Sequence, residues 1–236
     1  MGEGQIIAVI PARGGSKRIP RKNIRLFCGR PMIHWPIIAA LESRLFSEIV
    51  VSTDDAEIAE VARAAGATPL LRPADLSDDM TALRPVLQHA LLSYESQIGR
   101  PVAQLCSILA TAALILPSDL TAGQTALAAD GVDFVFAGSR FAAPVQRAFA
   151  LDVHGGLHMM QPEYRLTRSQ DLPECFYDAG QFYWGRRQAF MSDAAMYGPN
   201  SRLVLLPANR AIDIDTPDDW ARAEAAFAAL HQSNPS

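Results

Sequence analysis

Residues Ile6-Ile7-Ala8-Val9-Ile10 form an unbroken apolar run, rich in β-branched side chains, with no polar position to mark a solvent face. A strand of that pattern is buried on both sides, so it calls for helices above and below it. A polar stretch from Pro11 to Arg30 follows, and Pro31 is placed to open a helix, because a first-turn proline gives up no needed hydrogen bond. Ile33, Ile37, Ala40 and Leu41 then recur at helical spacing. Next come a strand at Glu48–Ser52, a helix capped by Asp54 or Asp55 and ended by Gly66, and a strand at Thr68–Leu71. A Thr81-capped helix to about Gln97, a strand at Gln104–Leu109, a helix near Leu120–Ala129 and a strand at Phe134–Ala137 complete the series. Strands alternating with amphipathic helices predict an α/β fold, a mostly parallel sheet with helices on both faces.

That rhythm breaks at Gly138. The segments Arg147–Val153 and Gly180–Tyr183, with the turn His154-Gly155-Gly156 between them, look like β-ribbon and loop. It returns with a strand at Leu203–Leu206 and a helix from Pro217, where Thr216 and Asp219 form a capping-box pattern. The expected organisation is an α/β core from residues 1–137 and 201–236, with 138–200 as a small β-rich insertion. A chain of 236 residues, 49% of them hydrophobic, suits one core of this kind.

A net charge of −4 argues against a polyanion partner for the whole chain, so no nucleic acid is expected. The charge is uneven, however: seven of the 21 basic residues fall between Arg13 and Arg30, with no acid among them. That points to a local anion site. The N-terminus lacks the basic n-region of a signal peptide, and no apolar run reaches the roughly 18 residues needed to span a bilayer. Cys28, Cys106 and Cys175 fit neither a disulfide framework nor a zinc signature. A cytoplasmic protein with no membrane partner is expected.

The anion site has a sequence of its own: Ala12-Arg13-Gly14-Gly15-Ser16-Lys17-Arg18-Ile19-Pro20-Arg21-Lys22-Asn23. Two glycines allow a tight turn that brings backbone N–H groups near an anion, and the cations neutralise a polyphosphate. The loop follows the first strand directly, where open α/β sheets bind ligands. It matches neither the Walker loop nor the dinucleotide fingerprint, which removes the kinase, ATPase and dehydrogenase motifs. A solvated basic loop is the plain alternative.

Far downstream, Asp213-Ile214-Asp215 places two carboxylates at strand spacing, on one face, as a hard cation requires. The plain alternative is that they only precede and cap the helix at Pro217. His34, His89, His154, His158 and His231 form no ligand cluster.

Taken together, Ile7–Lys17 with Pro20, Lys22 and Asn23 resembles the nucleotide-binding loop of the CMP-sialate synthetases, cytidylyltransferases with a Rossmann-like fold. The likeness continues through Val51–Asp55, Leu71–Ser77, Ala110–Ala112 and Ile212–Pro217, so it spans nearly the whole chain. Arg168–Glu174 and Asp178–Trp184 are similar to the pseudaminic acid branch, with Ala179-Gly180 where activators of sialate and legionaminate more often show Asn-Gly.

The resemblance implies an enzyme that transfers CMP from CTP to the anomeric hydroxyl of an acidic nine-carbon sugar, releasing pyrophosphate. Pseudaminic acid is the expected sugar; legionaminic or N-acetylneuraminic acid, or a non-catalytic nucleotide- or sugar-binding regulator, are the alternatives. It implies CTP binding by Ala12, Arg13, Gly14, Ser16, Lys17, Lys22, Asn23, Arg72, Thr81 and Thr111, with Lys22, Arg13, Asp213 and Asp215 catalytic. Asp213 and Asp215 would hold Mg2+, while Arg168, Gln170, Gln181 and Tyr183 would meet the sugar. A homodimer built through the insertion is also implied. One departure stands out: Thr111-Ala112-Ala113 lacks the proline usual at the third position, so a less ordered nucleotide loop is expected.

Overall fold

A computed structural model of the chain describes residues 4–78 and 80–232. The apolar run opens the chain as β1 (Gln5–Pro11), followed by the short β2 (Leu26–Phe27) and β3 (Arg30–Pro31). Then come α1 (His34–Ser43), β4 (Glu48–Thr53), α2 (Ala56–Ala64), β5 (Thr68–Leu71), α3 (Leu83–Ile98), β6 (Val102–Ile108), α4 (Pro117–Leu127) and β7 (Phe134–Arg140). A hairpin of β8 (Phe149–Leu151) and β9 (Leu157–Met159) precedes β10 (Phe176–Arg186), α5 (Arg187–Phe190), β11 (Ser201–Leu205) and α6 (Pro217–Gln232).

The main sheet has seven strands in the order β11-β7-β10-β6-β1-β4-β5. All neighbours run parallel except β10, which is antiparallel to both β6 and β7. β1 sits near the middle, and its side chains serve both faces. Ala8 and Ile10 pack with Ile33 and Ile37 of the α1 side, Ile58 of α2 and Leu120 of α4. Ile7 and Val9 pack on the other face with Leu87 and Leu91 of α3 and Phe190 of α5. A third cluster joins Trp220 and Phe227 of α6 to Phe27, Met32 and Leu114.

Local chemistry explains most element ends. Asp55 caps α2 by accepting from the N–H groups of Glu57 and Ile58, and Gly66 past its end takes φ +94°. At α6 the Thr216 N–H reaches Asp219 Oδ2 at 2.8 Å and the Asp219 N–H reaches Thr216 Oγ1 at 3.2 Å, the expected reciprocal cap.

Two expected helix starts are corrected. Pro31 lies in β3, because Cys28 and Gly29 at φ +48° and +85° turn the chain back on itself as a two-residue hairpin; α1 begins after Ile33. Thr81 does not cap α3: its hydroxyl and N–H are both taken by Asp78 Oδ1 at 2.6 Å, and the cap residue is Ala82.

The stretch 138–200 is not one body apart from the core. β10 lies within the central sheet, buried from Ala179 to Gly185, and α5 packs Phe190 edge-on against Phe134 at 5.2 Å. Within this stretch, residues 141–175, with the β8–β9 hairpin, and residues 187–200 stand outside the main sheet.

Candidate functional site

A cleft of about 360 Å³ opens beyond Pro11, the last residue of β1, and Ala110 and Thr111, which follow β6. Arg13, Ser16, Lys17, Lys22, Asn23, Arg72, Thr81 and Thr111 all line it, together with Arg18, Asp78 and Asp215. Eight of the expected nucleotide residues therefore converge on one space, drawn from four places in the chain. Ala12 and Gly14 do not line it. Ala12 is wholly buried, and its N–H is used by Ser52 O at 2.9 Å. The Gly14 N–H is held by Asp54 Oδ1 at 3.0 Å, so it is not offered to an anion.

The loop is braced from below. Asn23 is buried and donates through Nδ2 to Arg13 O at 3.0 Å. Arg21, in the left-handed region at φ +55°, pairs with both Asp55 and Glu57 at the start of α2. Gly14 passes so close to Asp55 that a Cβ there would stand 2.5 Å from Oδ2. Arg72 is buried and anchored to Ser52, with its guanidinium 2.6 Å from Ser52 O; burial lowers its pKa, and the charge of Asp54 offsets part of that.

Asp213 and Asp215 lie in an irregular segment between β11 and α6, not on a strand as the spacing predicts. Ile214 between them is fully buried in the α6 cluster, which leaves both aspartates facing outward. Lys22 Nζ donates to Ile214 O at 2.6 Å and to Asp215 Oδ1 at 3.1 Å, and Arg18 pairs with Asp215 Oδ2 at 2.9 Å. Asp213 is exposed on one side with protein packed behind it. That desolvation, with the charge of Asp215, raises its pKa; Lys22 opposes the rise and Asp178 adds to it. Gly180, at φ +59°, fits against Asp213 so closely that a Cβ would lie 3.1 Å from its Cγ. Among the described residues no cluster of three His, Cys, Asp or Glu could hold a metal. Two repelling carboxylates do suit a hard cation that takes its other oxygens from phosphates and water.

The expected sugar residues separate. Tyr183 is buried and donates to Asp178 Oδ2 at 2.6 Å; Tyr197 donates to the same oxygen at 2.7 Å. Burial and Asp178 raise the pKa of both phenols, that of Tyr197 to about 12. Asp178 and Tyr197 line a second cleft of about 320 Å³ with Phe136, Tyr177, Arg202 and Leu203. Gln181 is 1% exposed and ties Ala179 O to Ile212 O through Nε2, at 2.9 and 3.0 Å, while its Oε1 is left without a partner; it lines neither cleft. Arg168 spends its guanidinium on Asp171 at 2.7 Å, and neither it nor Gln170 lines either cleft. Ala179 packs into the core and lines neither cleft. Asp54, Asp178 and Tyr197 went unread as site residues; Asp178 was in view beside Ala179-Gly180, while nothing in the sequence marks Tyr197.

The loop without its proline is ordered by other means. Ala113 donates its N–H to Thr111 O at 2.8 Å, a bond that proline cannot make. Ala112, Ala113, Leu114 and Ile115 are buried, and Arg210 clamps the loop by reaching Leu114 O at 3.2 Å and Asp119 Oδ1 at 3.0 Å.

Comparison with known proteins gives this geometry a context. The family model for cytidylyltransferases matches residues 7–148. The chain is 39% identical over 228 residues to the pseudaminic acid cytidylyltransferase of Campylobacter jejuni, covering 96% of this chain and 98% of that one. It is 33% identical over 229 residues to the CMP-N,N'-diacetyllegionaminic acid synthase of Legionella pneumophila, covering 93% and 95%. Among solved structures, CMP:2-keto-3-deoxy-manno-octonic acid synthetase complexed with CTP shares the fold at a TM-score of 0.66 and 19% identity, over 98% of this chain and 100% of that one. Such a match, over most of the chain and including the loop that lines the first cleft, places this protein in the cytidylyltransferase family, among the nucleotidyltransferases.

Proposed function

We propose that the protein transfers CMP from CTP to the anomeric hydroxyl of pseudaminic acid, releasing pyrophosphate. The observation that carries this reading is the cationic cleft that Asp215 also lines, in a chain 39% identical to a pseudaminic acid cytidylyltransferase. Arg13, Ser16, Lys17 and Lys22 hold the triphosphate, and Arg72, Thr81 and Thr111 line the cytidine side. Lys22, fixed by Ile214 O and Asp215, presents its ammonium where charge develops as the α-phosphate is attacked. The second cleft receives the acceptor sugar. Asp178, in the lining of the second cleft, is near enough to Asp213 to help raise its pKa. The reaction is mostly positioning and charge neutralisation. Neither cleft is lined by histidine, so the carboxylates are the groups on hand for the acceptor's proton.

Asp213 and Asp215 fit Mg2+, which when bound would neutralise charge on the departing pyrophosphate. A homodimer is part of the proposal: Phe149, Leu151, Leu157 and Leu166 are exposed apolar side chains on the 141–175 segment, and a second copy would cover them. CTP as substrate supports a cytoplasmic location, and among the described residues no helix is long and apolar enough to cross a membrane.

Pyrophosphate release with CTP, Mg2+ and a panel of pseudaminic, legionaminic and N-acetylneuraminic acids tests the reading. The highest kcat/KM is expected with pseudaminic acid. Equal or reversed values would remove the substrate assignment, and no release with any of the three would remove the reaction.

A further inference from the structure

One oxygen on the acceptor side carries an unusual share of the local order. Asp178 Oδ2 accepts from two phenols, Tyr183 at 2.6 Å and Tyr197 at 2.7 Å, and Asp178 Oδ1 accepts from the Gly180 N–H at 2.9 Å. The three donors come from unlike places. Tyr183 is buried within β10. Tyr197 belongs to the 191–200 segment between α5 and β11 and is 60% exposed. Gly180 sits where the pairing of β10 with β7 shifts register, between Asp178 and Tyr183. Phe136 completes the arrangement, stacked near Tyr183 at 6.5 Å and edge-on to Tyr197 at 5.1 Å. The turn that Asp178 fixes is also the one that presses Gly180 against Asp213.

We propose that Asp178 is a positioning residue for the acceptor, setting both the Tyr197 ring of the second cleft and the distance from that cleft to the aspartate pair. The proposal rests on the reading that the second cleft takes the sugar. Hydrogen bonds from phenols to a carboxylate are short and strong, so Tyr197 is held in one orientation before any ligand arrives. A wall set in advance loses less side-chain freedom on binding than one that must be ordered by the ligand. Asp178 does not line the first cleft, so its effect falls on the sugar and not on CTP.

Asp178→Asn tests this, since it keeps the size and an oxygen for the Gly180 N–H while weakening both phenol bonds. The acceptor KM is expected to rise on the order of tenfold, with the CTP KM within about twofold of wild type. Calorimetric binding of CTP alone should be unchanged. Tyr197→Phe is the milder variant at an exposed ring; it should raise the acceptor KM by about threefold at an unchanged melting temperature. It keeps the question answerable if Asp178→Asn folds poorly. Both variants should also lower the ratio of kcat/KM for pseudaminic acid over N-acetylneuraminic acid, which a purely structural role would leave alone. An unchanged acceptor KM in both variants, or a CTP KM that rises as much as the acceptor's, overturns the inference. Wild-type protein that binds CTP but accepts no acidic sugar would sink the underlying reading instead.

Discussion

The two clefts are built on opposite plans. The first takes much of its polar lining from one stretch, Arg13–Asn23, and that stretch carries its own scaffold. Asn23 bonds back to Arg13 O, Gly14 is tied to Asp54, and Arg21 is locked to the start of α2. The second draws on Phe136, Asp178, Tyr197 and Leu203, which lie in different elements and meet only in the finished fold. A braced loop presents charges one by one, so each side chain acts nearly alone. A wall made of separate pieces depends on whatever holds the pieces together.

The sharpest break of this contrast is at the junction. Asp213→Asn and Asp215→Asn are each expected to lower kcat on the order of a hundredfold or more, with the melting temperature unchanged. Near-wild-type turnover at saturating Mg2+ would show that the aspartate is not needed. On the loop, Lys22→Ala should reduce kcat by some tens of fold, on the order of 2 kcal/mol, while the CTP KM moves little. Kinetics that show only a raised CTP KM would make Lys22 a plain binding residue.

Gly180→Ala probes the seam from the other side. A side chain at φ +59° is strained and would crowd Asp213, so kcat should fall about tenfold with a loss of roughly 1–2 kcal/mol in stability by chemical denaturation. Unaltered kinetics would mean that the seam has room to give. Ala113→Pro restores the usual residue but removes the bond to Thr111 O; a cost of about 1 kcal/mol is expected, with no gain in CTP KM. A tighter CTP KM would restore the view that this loop lacks order. The smallest effect belongs to Arg168→Ala, expected to change the acceptor KM by less than about twofold, as for an exposed ion pair. A large increase would bring the 168–171 turn into the acceptor site.

Legibility followed the same division. Arg13, Ser16, Lys17, Lys22 and Asn23 are near neighbours in the chain, so proximity in sequence stood in for proximity in space. The Asp213 and Asp215 pair was readable from spacing, although the burial of Ile214, and not a strand, turns both outward. β10 was not readable at its true length. Gly180 and Gln181 interrupt its apolar run, and its antiparallel course between two parallel strands obeys no alternation of strand and helix. Arg168 was expected to meet the sugar through the resemblance, yet its partner here, Asp171, is three residues away. Thr81 had the right chemistry for a cap, but its hydroxyl and N–H both turn to Asp78, and Ala82 holds the cap position.

The place of β10 also decides the order in which the molecule can assemble. β1, β4, β5 and β6 pair among themselves and are complete by Ile108, but β7 pairs only with β10 and β11, both made later. A nascent chain therefore carries β7 without a partner, and β6 with an open edge, until Phe176–Arg186 threads between them. Pairing across such a separation is slow, and unpaired edges invite association with other chains. A chain cut before Phe176 would keep every residue of the phosphate loop and still lack a closed sheet, so aggregation, and not a working half-enzyme, is its natural fate.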